Sequence, residues 1–136
     1  MGAENTIVVN GMYGRHSEAV AAGAITPGMG VETQSDGTVD VGAANTKRIL
    51  IAKEDALQGK TVSDAYAADD QVFRYEPLPG DECQLLALSG ETIVVGSLLQ
   101  LNAAGKWVVN VAGRMEAVEA SGGALGADAL IKAVRV

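Results

Sequence analysis

Ile25-Thr-Pro-Gly-Met-Gly-Val-Glu-Thr-Gln-Ser-Asp-Gly-Thr-Val-Asp-Val41 reads as an apolar entry, a glycine corner, a strand, a glycine turn and a returning strand. Ile93-Val-Val-Gly-Ser-Leu-Leu-Gln-Leu-Asn-Ala-Ala-Gly-Lys-Trp-Val-Val109 follows the same plan without gaps, 68 residues later. Gly28 lies over Gly96, Val31 over Leu99, Gly37 over Gly105 and Val39 over Trp107. A glycine at the corner lets the backbone bend sharply, as the rim of a small barrel requires. Asp36-Gly37 supplies the positive φ of a tight hairpin. Side chains alternate along a strand, so Val39 and Val41 share one face. Two such hairpins are expected either as halves of a pseudo-symmetric barrel or as two uses of a common glycine turn.

Working outward, short strands with glycine or proline punctuation fill the chain from Ile25 to its end. Strands are expected at Met29–Thr33, Thr38–Val41 and Lys47–Ala52, the last apolar enough to be buried on both sides. Gln71–Tyr75 alternates, with Val72 and Arg74 on one face and Phe73 and Tyr75 on the other, before Pro77 and Pro79 stop it. Further strands are expected at Glu82–Leu88, Thr92–Val95, Ser97–Leu101, Lys106–Val111 and Arg114–Ala120. A closing strand runs Leu130–Val136, with Leu130, Lys132, Val134 and Val136 on one face. Thr61–Ala68 fits a helical turn capped by Thr61 or Ser63, or an extended loop carrying Val62 and Tyr66 into the core. The fold class is all-β: a small β-barrel or β-tulip (β-clip-like) single domain over residues 25–136.

Residues 1–24 read as an extended N-terminal arm or a frayed terminus: Thr6-Ile-Val-Val-Asn10 fits a short strand, Gly11–Gly14 breaks it, and Ser17–Ala22 is weakly helical or extended. Free arms of small β domains act by adding a strand to a neighbour's sheet. Ile7, Val8 and Val9, with Tyr13 as an anchor, are the candidate interface residues. Deleting residues 1–20 is expected to leave the fold intact and abolish partner binding.

The chain has 136 residues, 10 Lys plus Arg against 17 Asp plus Glu, and a formal charge of −7. That length suits one domain, and the acidic balance argues against a nucleic-acid partner, which needs clustered cations. One cysteine, Cys83, and one histidine, His16, exclude a disulfide framework and the usual zinc ligand sets. No apolar run approaches the roughly 18–20 residues of a membrane span, and the start lacks a secretory signal, so no membrane partner and synthesis in the cytoplasm are expected. Glycine is 17 of 136 residues and aromatics number only five, which predicts many turns and small aliphatic packing.

No nucleophile elbow, phosphate loop or paired-histidine motif occurs. Gly28-x-Gly30 follows a proline and precedes a strand, so it is a turn and not a dinucleotide fingerprint. Glu54 with Asp55, or Asp69 and Asp70 with Asp81 and Glu82, could in principle hold a hard cation or act as paired acids. Adjacent carboxylates in a strand point to opposite faces, however, and calcium-loop spacing is absent, so solvated loop charge is the expectation. Cys83 is expected as a small buried hydrophobe, His16 at the surface or at a partner, and Trp107 as a core or interface anchor. Neither a catalytic residue nor a cofactor is expected.

Ala24-Ile-Thr-Pro-Gly-Met-Gly-Val-Glu32, Ile51–Asp70 with its Gln58-Gly-Lys-Thr-Val-Ser-Asp-Ala-Tyr66 centre, Pro79-Gly-Asp-Glu82 and Gly96-Ser-Leu-Leu-Gln100 resemble tailed-phage head decoration (capsid cement) proteins, the lambda type among them. Asp69-Asp70 departs from the family's glycine before the aspartate, which concerns a local turn. The resemblance implies a non-enzymatic virion protein, made in the host cytoplasm, that binds the outer face of an assembled capsid and bridges neighbouring subunits. It implies the major capsid protein as partner, a homotrimer, and an arm used on the capsid. The alternatives are another phage structural module (tail tube or fibre component) or a small β-barrel enzyme or ligand-binding protein using the acids at Asp69, Asp70, Asp81 and Glu82.

Overall fold

A computed structural model describes residues 6–11, 14–42 and 48–136. The described residues carry strands β1 (Val8–Asn10), β2 (Arg15–Val20), β3 (Gly30–Thr33), β4 (Val39–Val41), β5 (Leu50–Ala52), β6 (Gln71–Glu76), β7 (Glu82–Ala87), β8 (Leu98–Leu101), β9 (Trp107–Val109), β10 (Met115–Ala117) and β11 (Ala129–Arg135). The fold is all-β, a single small domain. A 3-10 turn at Ala56–Gln58 is capped by Asp55, whose carboxylate accepts from the Gln58 N–H at 3.3 Å.

Five consecutive strands, ordered β2-β6-β5-β3-β4, form one sheet. A parallel bridge from Ala21 to Val39 joins its ends and closes it into a ring. The next five, ordered β7-β11-β10-β8-β9, close the same way through a parallel pairing of Ala87 with Trp107. Each unit therefore has the same wiring: its first strand pairs with its fifth and, in parallel, with its third. The corners match in detail. Gly28 and Gly96 both have φ +93°. The Met29 N–H donates to the Thr26 carbonyl at 3.1 Å, and the Ser97 N–H to the Val94 carbonyl at 3.0 Å. At the hairpin tips the Gln34 N–H reaches the Thr38 carbonyl and the Asn102 N–H reaches the Lys106 carbonyl, both at 2.8 Å. Of the two explanations for the sequence echo, pseudo-symmetric halves are what the chain adopts.

The units fill their interiors differently. Ala21, Ile25, Val31, Val39, Leu50, Ala52, Tyr66 and Val72 pack inside the first. Trp107, Leu85, Leu99, Met115 and Ile131 pack inside the second, and Ile49, Ile51 and Tyr75 join them from the outer face of the first. Alternation in β5 thus buries its apolar run on both sides, as expected. The first unit's glycine corner seats on the second: the Leu86 N–H and Trp107 Nε1–H donate to the Gly28 carbonyl at 3.0 and 3.1 Å.

Three expectations need correction. In the described part of residues 1–24 the chain is built into the body instead of standing free: β2 pairs along β6 from Arg15–Glu76 to Val20–Gln71, and β1 pairs with β7. Thr92–Val95 is no strand; only Thr92 bridges, to Ala124, because Gly96 turns the chain immediately afterwards. In β11 the core face is Ile131 and Ala133, not the Leu130–Val136 set. Thr61–Ala68 takes the extended alternative, with Tyr66 buried and bridged to Ile25 and Val62 packed against the core.

Candidate functional site

Of the carboxylates weighed as paired acids, Glu54, Asp55, Asp70 and Asp81 each accept a hydrogen bond from a backbone N–H. Glu54 is buried and accepts from the Thr6 hydroxyl at 2.7 Å and the Ile7 N–H at 2.9 Å. Asp81 is buried and accepts from the Tyr75 hydroxyl at 2.6 Å and the Leu78 N–H at 3.0 Å. The Tyr75 hydroxyl in turn accepts from the Gly14 N–H at 3.0 Å, so one buried pair ties β6, the 77–80 loop and the entry to β2 together. Burial, then the bond to Asp81, pushes the Tyr75 hydroxyl pKa well up. Asp70 closes its own turn on the Ala67 N–H at 2.8 Å, and Asp69 occupies the left-handed region at φ 70°. Among the described residues no group of three His, Cys, Asp or Glu is placed to hold a metal ion.

Cys83 is fully buried, and desolvation raises its thiol to about 12, too high for a nucleophile. Trp107 is a core residue at the junction of the units. His16 lies exposed on β2, its ring 4.7 Å from that of Tyr75 and its Nδ1 2.8 Å from Lys53 Nζ. Desolvation first, then the Lys53 charge, holds its pKa below 6.5.

Of the expected interface residues, Ile7 is wholly buried in the second unit's core. Val8 and Val9 are half-buried on β1, and Tyr13 lies outside the described residues. Strand addition does occur here, within the chain: Val8 sits opposite Cys83, and the Gln84 N–H donates to the Ile7 carbonyl at 2.8 Å. Deleting residues 1–20 therefore removes core and sheet and is not expected to spare the fold.

The surface carries two features that sequence reading missed. The first is a groove lined by Arg15, Arg48, Arg114 and Arg135 beside Pro77, Leu78 and Pro79. Four of the chain's 10 cations converge there although the net charge is −7. Arg48 is 3.4 Å from Glu76, and Arg135 donates to the Arg114 carbonyl at 3.3 Å. Burial first, then the neighbouring Arg114 charge, lowers the Arg135 pKa. These arginines are spread over 120 residues of sequence, so no linear motif announces them. The second feature is the Val94-Val95 corner of the second unit, whose valines are 58% and 66% exposed.

Neither a protein-family model nor a curated protein sequence matches the chain. Among solved structures it is similar to the N base of the head fiber protein gp8.5 of bacteriophage phi29, with a TM-score of 0.60 and 16% identity, over 91% of this chain and 95% of that one. At that identity the likeness is one of fold.

Proposed function

We propose that this chain is a structural, non-enzymatic virion protein that binds the outer surface of an assembled phage head and stabilises it by bridging neighbouring capsid subunits, acting as a homotrimer. The observation that carries this reading is the near full-length backbone likeness to a head fiber base, beside the resemblance of the Ile25–Gly30 and Gln58–Tyr66 segments to head decoration proteins. The engagement of the buried carboxylates in backbone bonds supports adhesion over reaction.

The attachment face in this reading is the arginine groove, presenting Arg15, Arg114 and Arg135, together with Val8 and Val9 of β1. The partner is the major capsid protein, through an acidic patch on its outer surface. Each copy bridges several subunits, so that contacts must break together and avidity exceeds any one of them. Preferential binding to the expanded shell stabilises that state by linkage.

Purified protein mixed with expanded empty heads of its phage is expected to co-sediment with them. Arg114→Glu with Arg135→Glu is expected to weaken this at least tenfold while leaving the thermal transition in place. Failure of the unaltered protein to co-sediment would sink the reading, and antibody label on tails would favour a tail component instead.

A further inference from the structure

The two units stand in different surroundings, and the difference points to a second copy of this chain. In the first unit the corner Thr26–Gly30 is covered: a Cβ on Gly28 would lie 2.7 Å from Leu130 Cδ2 and 2.9 Å from the Leu86 backbone nitrogen. In the second unit the corner with the same backbone, Val94–Leu98, is open: a Cβ on Gly96 would meet nothing within 4 Å among the described residues. Yet it presents two exposed valines, with Val111 beyond the end of β9 at 94% exposure.

The surface that receives the first corner also has a counterpart. Leu86 pairs with Leu130 across β7 and β11, and Val20 pairs with Gln71 at the same place in β2 and β6. Val20 is 40% exposed and Gln71 is exposed. β1 covers the outer edge of β7, whereas among the described residues no strand adds to the outer edge of β2. Such an uncovered edge invites pairing from another chain.

The sizes also match. Gly30 of the first corner is pressed against Leu101 at the mouth of the second ring. The corresponding pair is Leu98 and Thr33, large for small on the corner and small for large at the mouth. Beside Thr33 lies a shallow groove lined by Glu32, Arg48 and Leu50, room for a leucine.

We infer that the Val94–Leu98 corner of one copy docks on the Val20, Gln71 and Thr33 face of another, repeating between chains the contact that joins the two units within one. The contact is head-to-tail, so it closes into a ring or runs on as a filament. It deepens the self-association part of the function proposed above and is independent of head attachment. Its occupant follows from continuity with the contact between the units, since the same corner backbone meets the same strand positions.

The double variant Val20→Cys, Val95→Cys, oxidised without any head present, is expected to give a ladder of covalent multimers on a non-reducing gel. Each single variant is expected to stay uncross-linked, because a head-to-tail contact never brings two copies of one position together. Val95→Asp is expected to lower the mass by light scattering to that of one chain while leaving the far-ultraviolet circular dichroism spectrum of the folded protein unchanged. A double variant that runs as one chain, a single variant that dimerises, or an unaltered protein of single-chain mass would overturn the inference. Co-sedimentation with heads would still stand in those cases, which separates its failure from that of the functional reading.

Discussion

The two five-strand units share strand order, bridge positions and corner dihedrals, yet one encloses Val39 where the other encloses Trp107, and Val31 where the other has Leu99. Turn chemistry has set the wiring twice over, and side-chain volume has set how much each copy holds together. Trp107 also reaches past its own unit to the Gly28 carbonyl. The second unit therefore acts as the anchor on which the first, and β1, are mounted.

The largest expected effect tests that asymmetry. Trp107→Ala is expected to cost about 3–5 kcal/mol, as for other buried tryptophans. Val39→Ala, at the matching position, is expected to cost about 2 kcal/mol from its smaller buried surface. Denaturant midpoints with unchanged slopes would measure both. Equal costs would mean that the smaller core is as sensitive as the larger, and the asymmetry would fail.

The glycine corners come next and sharpen the same comparison. Gly28→Ala and Gly96→Ala meet the same backbone penalty at φ +93°, roughly 1–2 kcal/mol for a residue with a Cβ. At Gly28 the new atom also collides with Leu130 and the Leu86 backbone, where no side-chain rotation gives relief on the nitrogen. Gly28→Ala is expected to destabilise the single chain at least twice as much as Gly96→Ala, read from thermal melts of the two variants. Matching melts would mean that the covered corner yields at little cost.

These positions also mark what could be read without coordinates. Glycine corners and the glycines at the tips, Gly37 and Gly105, speak loudly, because few residues tolerate their dihedrals, so the hairpins at 25–41 and 93–109 and the all-β class were legible. β2 was not: Arg15-His-Ser-Glu-Ala-Val20 is exposed along most of its length and has no alternating pattern to betray a strand. Ile7 and its neighbours looked like an arm because their partners, Glu54 and Gln84, are distant in sequence. The Val94-Val95 corner was mistaken for a strand, since β-branched residues announce extended backbone whether or not a ladder is there to receive it. The arginine groove is assembled from both units and has no local signature at all.

The smallest expected effect separates the two hairpin tips by how each is tied. Asp36 fastens the first by accepting from the Thr38 hydroxyl at 2.6 Å and the Thr38 N–H at 3.0 Å. The second relies on Asn102, which does not titrate, together with a bridge of 2.6 Å from Lys106 to Asp128. Hydrogen bonds to Thr38 hold the Asp36 pKa below 3.8, and the bond from Lys106, then that from Ser89, does the same for Asp128. A carboxylate depressed in the folded state lends stability that is fully present above its unfolded pKa and is lost as pH falls through the folded value. Asp128→Asn is therefore expected to cost less than about 1 kcal/mol at neutral pH, as an exposed ion pair would. The deficit relative to the unaltered protein is expected to shrink as pH drops below 3.8. Asp36→Asn is expected to flatten the same acid limb through the first tip alone, and NMR titration of the two carboxylates would assign each share. A deficit for Asp128→Asn that persists undiminished at pH 2 would show that the lost bridge works through shape and not through charge.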